Sequence, residues 1–255
     1  MDYGCLKTDF FINYFVCFYL KLFYCLFDYM CQRTLEQLIA CFLGCFQVKG
    51  YLCNQNTLIM CKFSESTKQK LGNAIIYIAR HTSSLSKTKL LKLLYLMEER
   101  MALKYHVPFI GIPFEVWQAG PVAKDVFVDL SDGPYLLKSF VKTDFKDGGT
   151  FIEAVADFDD SEFSECEIEM MDEILAKYGN MTASDLVAET HKEGTLWYRV
   201  AARTGLLEAF NKHECNNSDR QIDFTEAMTD CAAEDYRESL NIRQTANLLN
   251  AESHV

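Results

Sequence analysis

The amino-acid composition changes abruptly near residue 60 of this 255-residue chain. Residues 1–60 contain eight Phe, six Tyr and seven of the eleven Cys, and their four basic and four acidic side chains leave them without net charge. The whole net charge of −11 therefore belongs to residues 61–255. This contrast predicts two units, an atypical hydrophobic segment over 1–60 and a charged globular domain over 61–255.

The first segment contains an 18-residue apolar run, residues 10–27, which just reaches the length of a membrane-spanning helix. Acidic residues outnumber basic ones before the run, and no small-residue cleavage site follows it, so a signal peptide is not indicated. Three interpretations of residues 1–60 stay open. They are a mistranslated upstream stretch with the natural start at Met60, a membrane anchor, or an additional helical subdomain.

Residues 61–255 have the hydrophobic periodicity of amphipathic helices. The spacing of apolar residues predicts helices over 66–80 and 87–105, and capping-box sequences at 164–167 and 182–185 predict two more helix starts. We therefore expect an α+β fold that is mostly α-helical.

The strand signals are fewer. An Asp-Gly-Gly turn at 147–149 predicts one β-hairpin over about 135–158, and residues 114–118 are typical of a short extra strand. Pro121 suits the first position of a helix, so we expect a helix from there to about Leu130.

The catalytic motifs most readily found in a sequence are missing. The chain contains no P-loop, no dinucleotide-binding glycine motif, no nucleophile elbow and no zinc-protease motif. His191 and Glu193 are candidates for an acid/base pair, but the favoured role of His191 is to cap the end of a helix. We expect a protein that is not an enzyme, with no catalytic residues, cofactor or metal.

Three segments carry a more specific pattern. They are KLLKLLY at 89–95, FEVWQAGPV at 114–122 and LVAETHKEGTLW at 186–197. In this order they resemble the Panacea domain of SocA-like antitoxins, and the similarity extends over about residues 66–224. The family pattern is K-L-x-K-L-L-Y, F-x-A-W-x-x-G-P-V and L-x-x-x-T-H-x-E-x-x-W. Val116 departs from it where Ala is usual, and so do Thr195 and Leu196 where a pair such as Ser-Pro is frequent.

The resemblance implies a cytoplasmic antitoxin of a toxin-antitoxin system, often phage-associated. Such a protein neutralises a cognate toxin, usually encoded nearby, through direct protein–protein interaction. One relative is similar to a proteolytic adaptor, so delivery of the toxin to a cytoplasmic protease is an alternative to simple blocking. The motif residues then either build the domain or contact the partner: Lys89, Leu93, Tyr95, Trp117, Gly120, Pro121, Val122, Thr190, His191, Glu193 and Trp197.

The charge distribution leaves a second function open. Residues 61–106 carry nine basic and three acidic side chains, so the helix pair 66–105 loosely resembles the helix-turn-helix of a DNA-binding transcriptional regulator. Against this, its second helix is too apolar to lie in a groove, and the acidic remainder of the domain makes nucleic acid an unlikely partner. Residues 151–178 carry ten acidic side chains and one basic, which indicates solvated helix faces or a surface for a basic partner. A membrane is expected as a partner only if residues 10–27 are an anchor.

Overall fold

The structure, a computed structural model, describes residues 63–252. Eight α-helices lie in this part of the chain: α1 Glu65–Arg80, α2 Lys87–Tyr105, α3 Lys124–Asp129, α4 Glu165–Tyr178, α5 Ala183–Thr190, α6 Leu196–Arg203, α7 Leu206–Asn211 and α8 Asp230–Glu252, with a 3₁₀ turn at Phe224–Ala227 before α8. Four strands complete it: β1 Glu115–Trp117, β2 Gly120–Val122, β3 Val141–Lys146 and β4 Gly149–Ala154. The expected α+β fold, mostly helical, is confirmed.

Helix α2 lies at the centre of the core. Serine side chains cap both α2 and the helix before it, since Ser64 accepts from the Thr67 N–H and Ser86 from the Lys89 N–H. The apolar positions of α2 are buried on nearly every side of the helix. Helices α4 and α5 and strand β2 all pack against α2, so side chains from distant parts of the sequence meet there.

The prediction of a helix starting at Pro121 was wrong. Pro121 lies in β2 and pairs antiparallel with Val116, which adds a second small hairpin to the one that was predicted. Proline is tolerated in this strand because the Val116 N–H donates to Arg220 O at 2.8 Å, away from β2, so the pair needs no Pro N–H. The helix begins only at Lys124.

The predicted hairpin exists but is shorter than 135–158. Its strands are β3 and β4, joined by a turn at Asp147 and Gly148. The residues before β3 do not extend, because the Asp129 carboxylate accepts the backbone N–H groups of residues 135, 136 and 137 and holds them in turns.

Both predicted capping boxes form, at Ser164 with Glu167 and at Thr182 with Asp185. No helix within residues 63–252 is long and apolar enough to cross a membrane. The apolar run at 10–27 lies outside the described residues, so its three interpretations and the domain boundary at residue 60 stay predictions.

Candidate functional site

The three motif segments, although distant in sequence, meet at one place in the fold. The KLLKLLY segment lies on α2, the GPV of the second segment forms β2, and the third segment forms the end of α5, the following turn and the start of α6. We call the residues that meet the motif centre: Lys92, Gly120, Pro121, Thr190, His191 and Trp197.

Lys92 is the polar side chain at the middle of the motif centre. None of its surface is exposed, and its Nζ donates to the carbonyl oxygen of Pro121 at 2.7 Å. Burial disfavours the ammonium form and lowers the pKa of Lys92 to about 7. Within residues 63–252, no carboxylate contributes to the pKa of Lys92, so burial alone accounts for its shift.

Gly120 lets the chain pass close to Lys92. Its φ is +94°, a conformation that residues with a Cβ rarely adopt. A Cβ at this position would lie 2.8 Å from Thr190 Oγ1 and 2.9 Å from Lys92 Cε. The glycine of the GPV sequence is therefore required by both backbone conformation and packing.

His191 joins α5 to the turn between β1 and β2. It is the C-cap residue of α5, as expected from its position, and its ring Nδ1 lies 2.5 Å from Val187 O. Its Nε2 lies 3.0 Å from Gln118 O, so both ring nitrogens face backbone carbonyls that only accept hydrogen bonds. A neutral imidazole donates to one of them, and an imidazolium donates to both.

The two tryptophans are linked through the backbone. Trp197 is 2% exposed, and its Nε1 donates to the backbone oxygen of Trp117 at 3.1 Å. The His191 ring packs edge-on against the Trp197 ring, with centroids 3.8 Å apart. Trp117 is only partly buried, packs on Phe127, and donates from its own Nε1 to the Glu115 carboxylate at 2.9 Å.

Residues 90–198 match the family described as antitoxin SocA-like, Panacea domain. This segment, less than half of the chain, is similar to a Panacea domain. The matched range includes all six residues of the motif centre. It is shorter than the expected range 66–224, since it leaves out α1, Lys89 and all residues after Tyr198. No curated protein and no solved structure matches the chain significantly.

The other motif residues that the sequence predicted lie away from the motif centre. Leu93 and Val122 are buried in the apolar core, and Tyr95 is buried with its hydroxyl donating to Glu99 at 2.7 Å. Lys89 is 6% exposed, and burial lowers its pKa. Glu193 is exposed, and both ring nitrogens of His191 lie against backbone oxygens instead of its carboxylate.

Lys92 lies within the KLLKLLY motif but is not among the site residues that the sequence predicted. The signal was available, because leucines at 90, 91, 93 and 94 flank Lys92 and together cover most of the circumference of the helix. A lysine inside an apolar stripe usually lies at its edge with the amine in water, which is why the pattern did not reveal complete burial.

The basic character of the helix pair α1 and α2 is mostly neutralised or buried in the structure. Lys70, Lys89 and Lys92 are buried. Arg80 contacts Asp157 at 2.5 Å, and Arg100 and Lys104 both contact Glu173. The excess of positive charge in the sequence therefore does not form an open basic surface on these helices.

Within residues 63–252, no group of three or more His, Cys, Asp or Glu side chains is arranged to hold a metal ion. The three cysteines of this part, Cys166, Cys215 and Cys231, are free thiols.

Proposed function

We propose that this protein is an antitoxin that neutralises a cognate toxin by direct protein–protein binding. The observation that carries the proposal is the Panacea match over residues 90–198, whose motif residues the fold brings together in the motif centre. The centre is closed and supports the fold, so the partner is expected to bind the surrounding surface.

A binding role without catalysis is supported by how the polar groups of the motif centre are used. Lys92 has no exposed surface from which to reach a substrate. Both ring nitrogens of His191 lie against backbone oxygens, whereas a general base needs one free nitrogen that can reach the reacting proton. These groups are positioned to join α2, α5 and β2.

The alternative of a DNA-binding regulator is less well supported. A groove-binding helix needs several free basic side chains for phosphates, and all those of α1 and α2 except Lys87 are buried or paired with carboxylates. If the protein did bind DNA in this way, its affinity would fall steeply with rising salt.

The experiment is co-expression with the gene encoded beside this one. Expressed alone, the neighbour should stop growth, and expressed together with this protein it should not. The two proteins should also co-purify as a complex. Trp197→Ala serves as the control, because removal of this buried ring costs about 3–5 kcal/mol and should abolish rescue through loss of the fold. Failure of the intact protein to rescue, with the neighbour toxic by itself, contradicts the proposal.

Blocking and delivery to a protease predict different fates for the toxin. We propose a cytoplasmic location for either route. A blocking antitoxin leaves the toxin at full abundance in the complex, whereas a proteolytic adaptor lowers its abundance unless the protease is absent. Following the toxin by immunoblot in growing cells after synthesis stops separates the two.

A further inference from the structure

The hairpin formed by β3 and β4 has one covered edge and one open edge. The covered edge belongs to β4, where the Ile152 N–H donates to Leu85 O at 2.8 Å and Ser86 forms an antiparallel bridge with Phe151. Strand β3 pairs with β4 alone among the described residues. Within residues 63–252, no strand covers its other edge, which is therefore available to a further strand.

The turn decides which residues of β3 face the open edge. Asp147 and Gly148 both have positive φ, 52° and 75°, as in a two-residue type I′ turn. Such a turn is closed by a hydrogen-bonded pair, here Lys146 with Gly149. Hydrogen-bonded and non-hydrogen-bonded pairs then alternate along the strands.

This alternation directs Lys142 and Asp144 toward β4, and it directs the backbone groups of Val141, Thr143 and Phe145 outward. The N–H of Val141 agrees, since it donates to Leu137 O at 3.0 Å instead of to β4. Thr143 and Phe145 are left with outward N–H and C=O groups, and Val141 with an outward C=O.

The sequence of β3 is self-complementary about Thr143. An antiparallel second copy must pair outward residues with outward residues, which allows registers centred on residue 142, 143 or 144. Centring on Lys142 or on Asp144 places like charges opposite each other. Centring on Thr143 places Lys142 opposite Asp144 of the second copy, and Val141 opposite Phe145.

We propose that the open edge of β3 is a homodimer interface, in which β3 pairs antiparallel with β3 of a second copy in the register centred on Thr143. The two hairpins then form one four-stranded sheet. The two Thr143 residues of the dimer exchange two backbone hydrogen bonds, and each Phe145 N–H donates to the Val141 oxygen of the other copy. Phe145, now 75% exposed on the side of the sheet that faces the core, gains an apolar neighbour. This interface does not depend on toxin binding.

The test uses charge reversal in the full-length protein, with sedimentation velocity over a range of concentrations. Lys142→Glu places glutamate opposite Asp144, and Asp144→Lys places lysine opposite Lys142. Because like charges then face each other, the dimer of each variant alone should be weaker by a factor of about ten or more. Mixed together, the two variants have complementary strands and should form a heterodimer. The double variant should dimerise again for the same reason.

The mixture separates this register from other causes of a weaker dimer. Lys142 also forms an ion pair with Glu153 at 2.9 Å within the hairpin. Loss of this ion pair could weaken the dimer by damaging the hairpin, but it would not make the two variants associate with each other. Lys212→Glu, at the residue that follows α7, is the matched control, because Lys212 also forms an ion pair, with Glu208, and the change should leave dimerisation unchanged.

Three results would overturn the proposal. They are a wild-type protein that is monomeric at all concentrations, association that is insensitive to both reversals, and variants that fail to associate with each other. If the wild type is monomeric but Lys142→Glu loses toxin binding, the edge belongs to the toxin instead of a second copy.

Discussion

Lys92 and Gly120 show how single residues hold the motif centre together. A lysine without exposed surface and without a carboxylate partner is costly to keep charged, and burial accordingly lowers its pKa to about 7. Its amine is held by one backbone oxygen, that of Pro121, which the adjacent glycine allows to come close. The sequence indicated the importance of Gly120 and Pro121 through their motif, but the depth of Lys92 emerged only from the packing of β2 on α2.

The buried amine makes stability depend on pH. The folded-state pKa of Lys92 is about 7 and its ordinary value is 10.5, so between these values the unfolded chain binds a proton that the folded chain does not. The free energy of unfolding should therefore rise with pH across this window, by up to about 1.4 kcal/mol per pH unit from this group. Below pH 7 the full destabilisation caused by burying the charged amine should be present. Lys92→Met should remove this dependence.

Urea unfolding of the wild type and of Lys92→Met from pH 6 to pH 10 measures the difference directly. Only the difference between the two proteins matters, since other groups titrate in both. Lys138→Met, at an exposed position, is the control and should keep the wild-type slope. A parallel pH dependence of Lys92→Met and wild type would show that Lys92 remains charged in the folded state.

Gly120→Ala should destabilise the domain more than the same change at a matched glycine. Gly133 has nearly the same φ, +93° against +94°, but has open space around it. Both changes carry the conformational cost of about 1–2 kcal/mol, and Gly120→Ala adds a clash with Thr190 and Lys92 of about 1–3 kcal/mol. Thermal unfolding of both variants is the measurement. Equal losses would mean that the motif centre has room for a methyl group.

At the scale of elements, helix α4 shows what sequence reasoning can and cannot find. Its capping box at Ser164 and Glu167 is a local pattern, four residues long, and was predicted and confirmed. The same Glu167 also accepts from buried Lys70 on α1 at 2.6 Å, a contact that spans 97 residues of sequence. Local patterns gave helix starts, the hairpin turn and the strand at 114–118. They missed β2 and the ion pair, because both depend on partners from distant segments.

The two roles of Glu167 can be separated by substitution. Glu167→Gln keeps an oxygen for the Ser164 N–H but leaves Lys70 buried without a countercharge, so it should cost about 3–5 kcal/mol. Ser164→Ala removes only the cap and should cost about 1 kcal/mol. Chemical denaturation ranks the two variants. A smaller loss for Glu167→Gln than for Ser164→Ala would assign the residue mainly to capping.

At the scale of the whole molecule, the described residues contain the segment similar to a Panacea domain and, later in the chain, helix α8. Arg243 anchors α8 by donating to Phe109 O at 2.6 Å. The family was predictable because its three motifs lie in short segments. Their convergence on Lys92 was not, because neither spacing nor periodicity determines which helix face meets which turn.

A protein that begins at Met60 should fold and remain in solution without detergent. The first described helix has its own cap at Ser64, and the net charge of −11 lies after residue 60. Circular dichroism and thermal unfolding of this shortened protein are the measurements. Its aggregation, combined with a full-length chain that is extracted only with the membrane fraction, would instead make residues 1–60 a genuine part of the protein.

Titration of the purified toxin with this protein, in the absence of any protease, shows whether neutralisation occurs by direct binding. Binding by occupation predicts that toxin activity falls in proportion to the protein added and vanishes at a fixed molar equivalence, with the two chains recovered intact as a complex. Loss of activity at a small fraction of that equivalence, with the toxin chemically altered and no complex recovered, would contradict it and indicate catalysis.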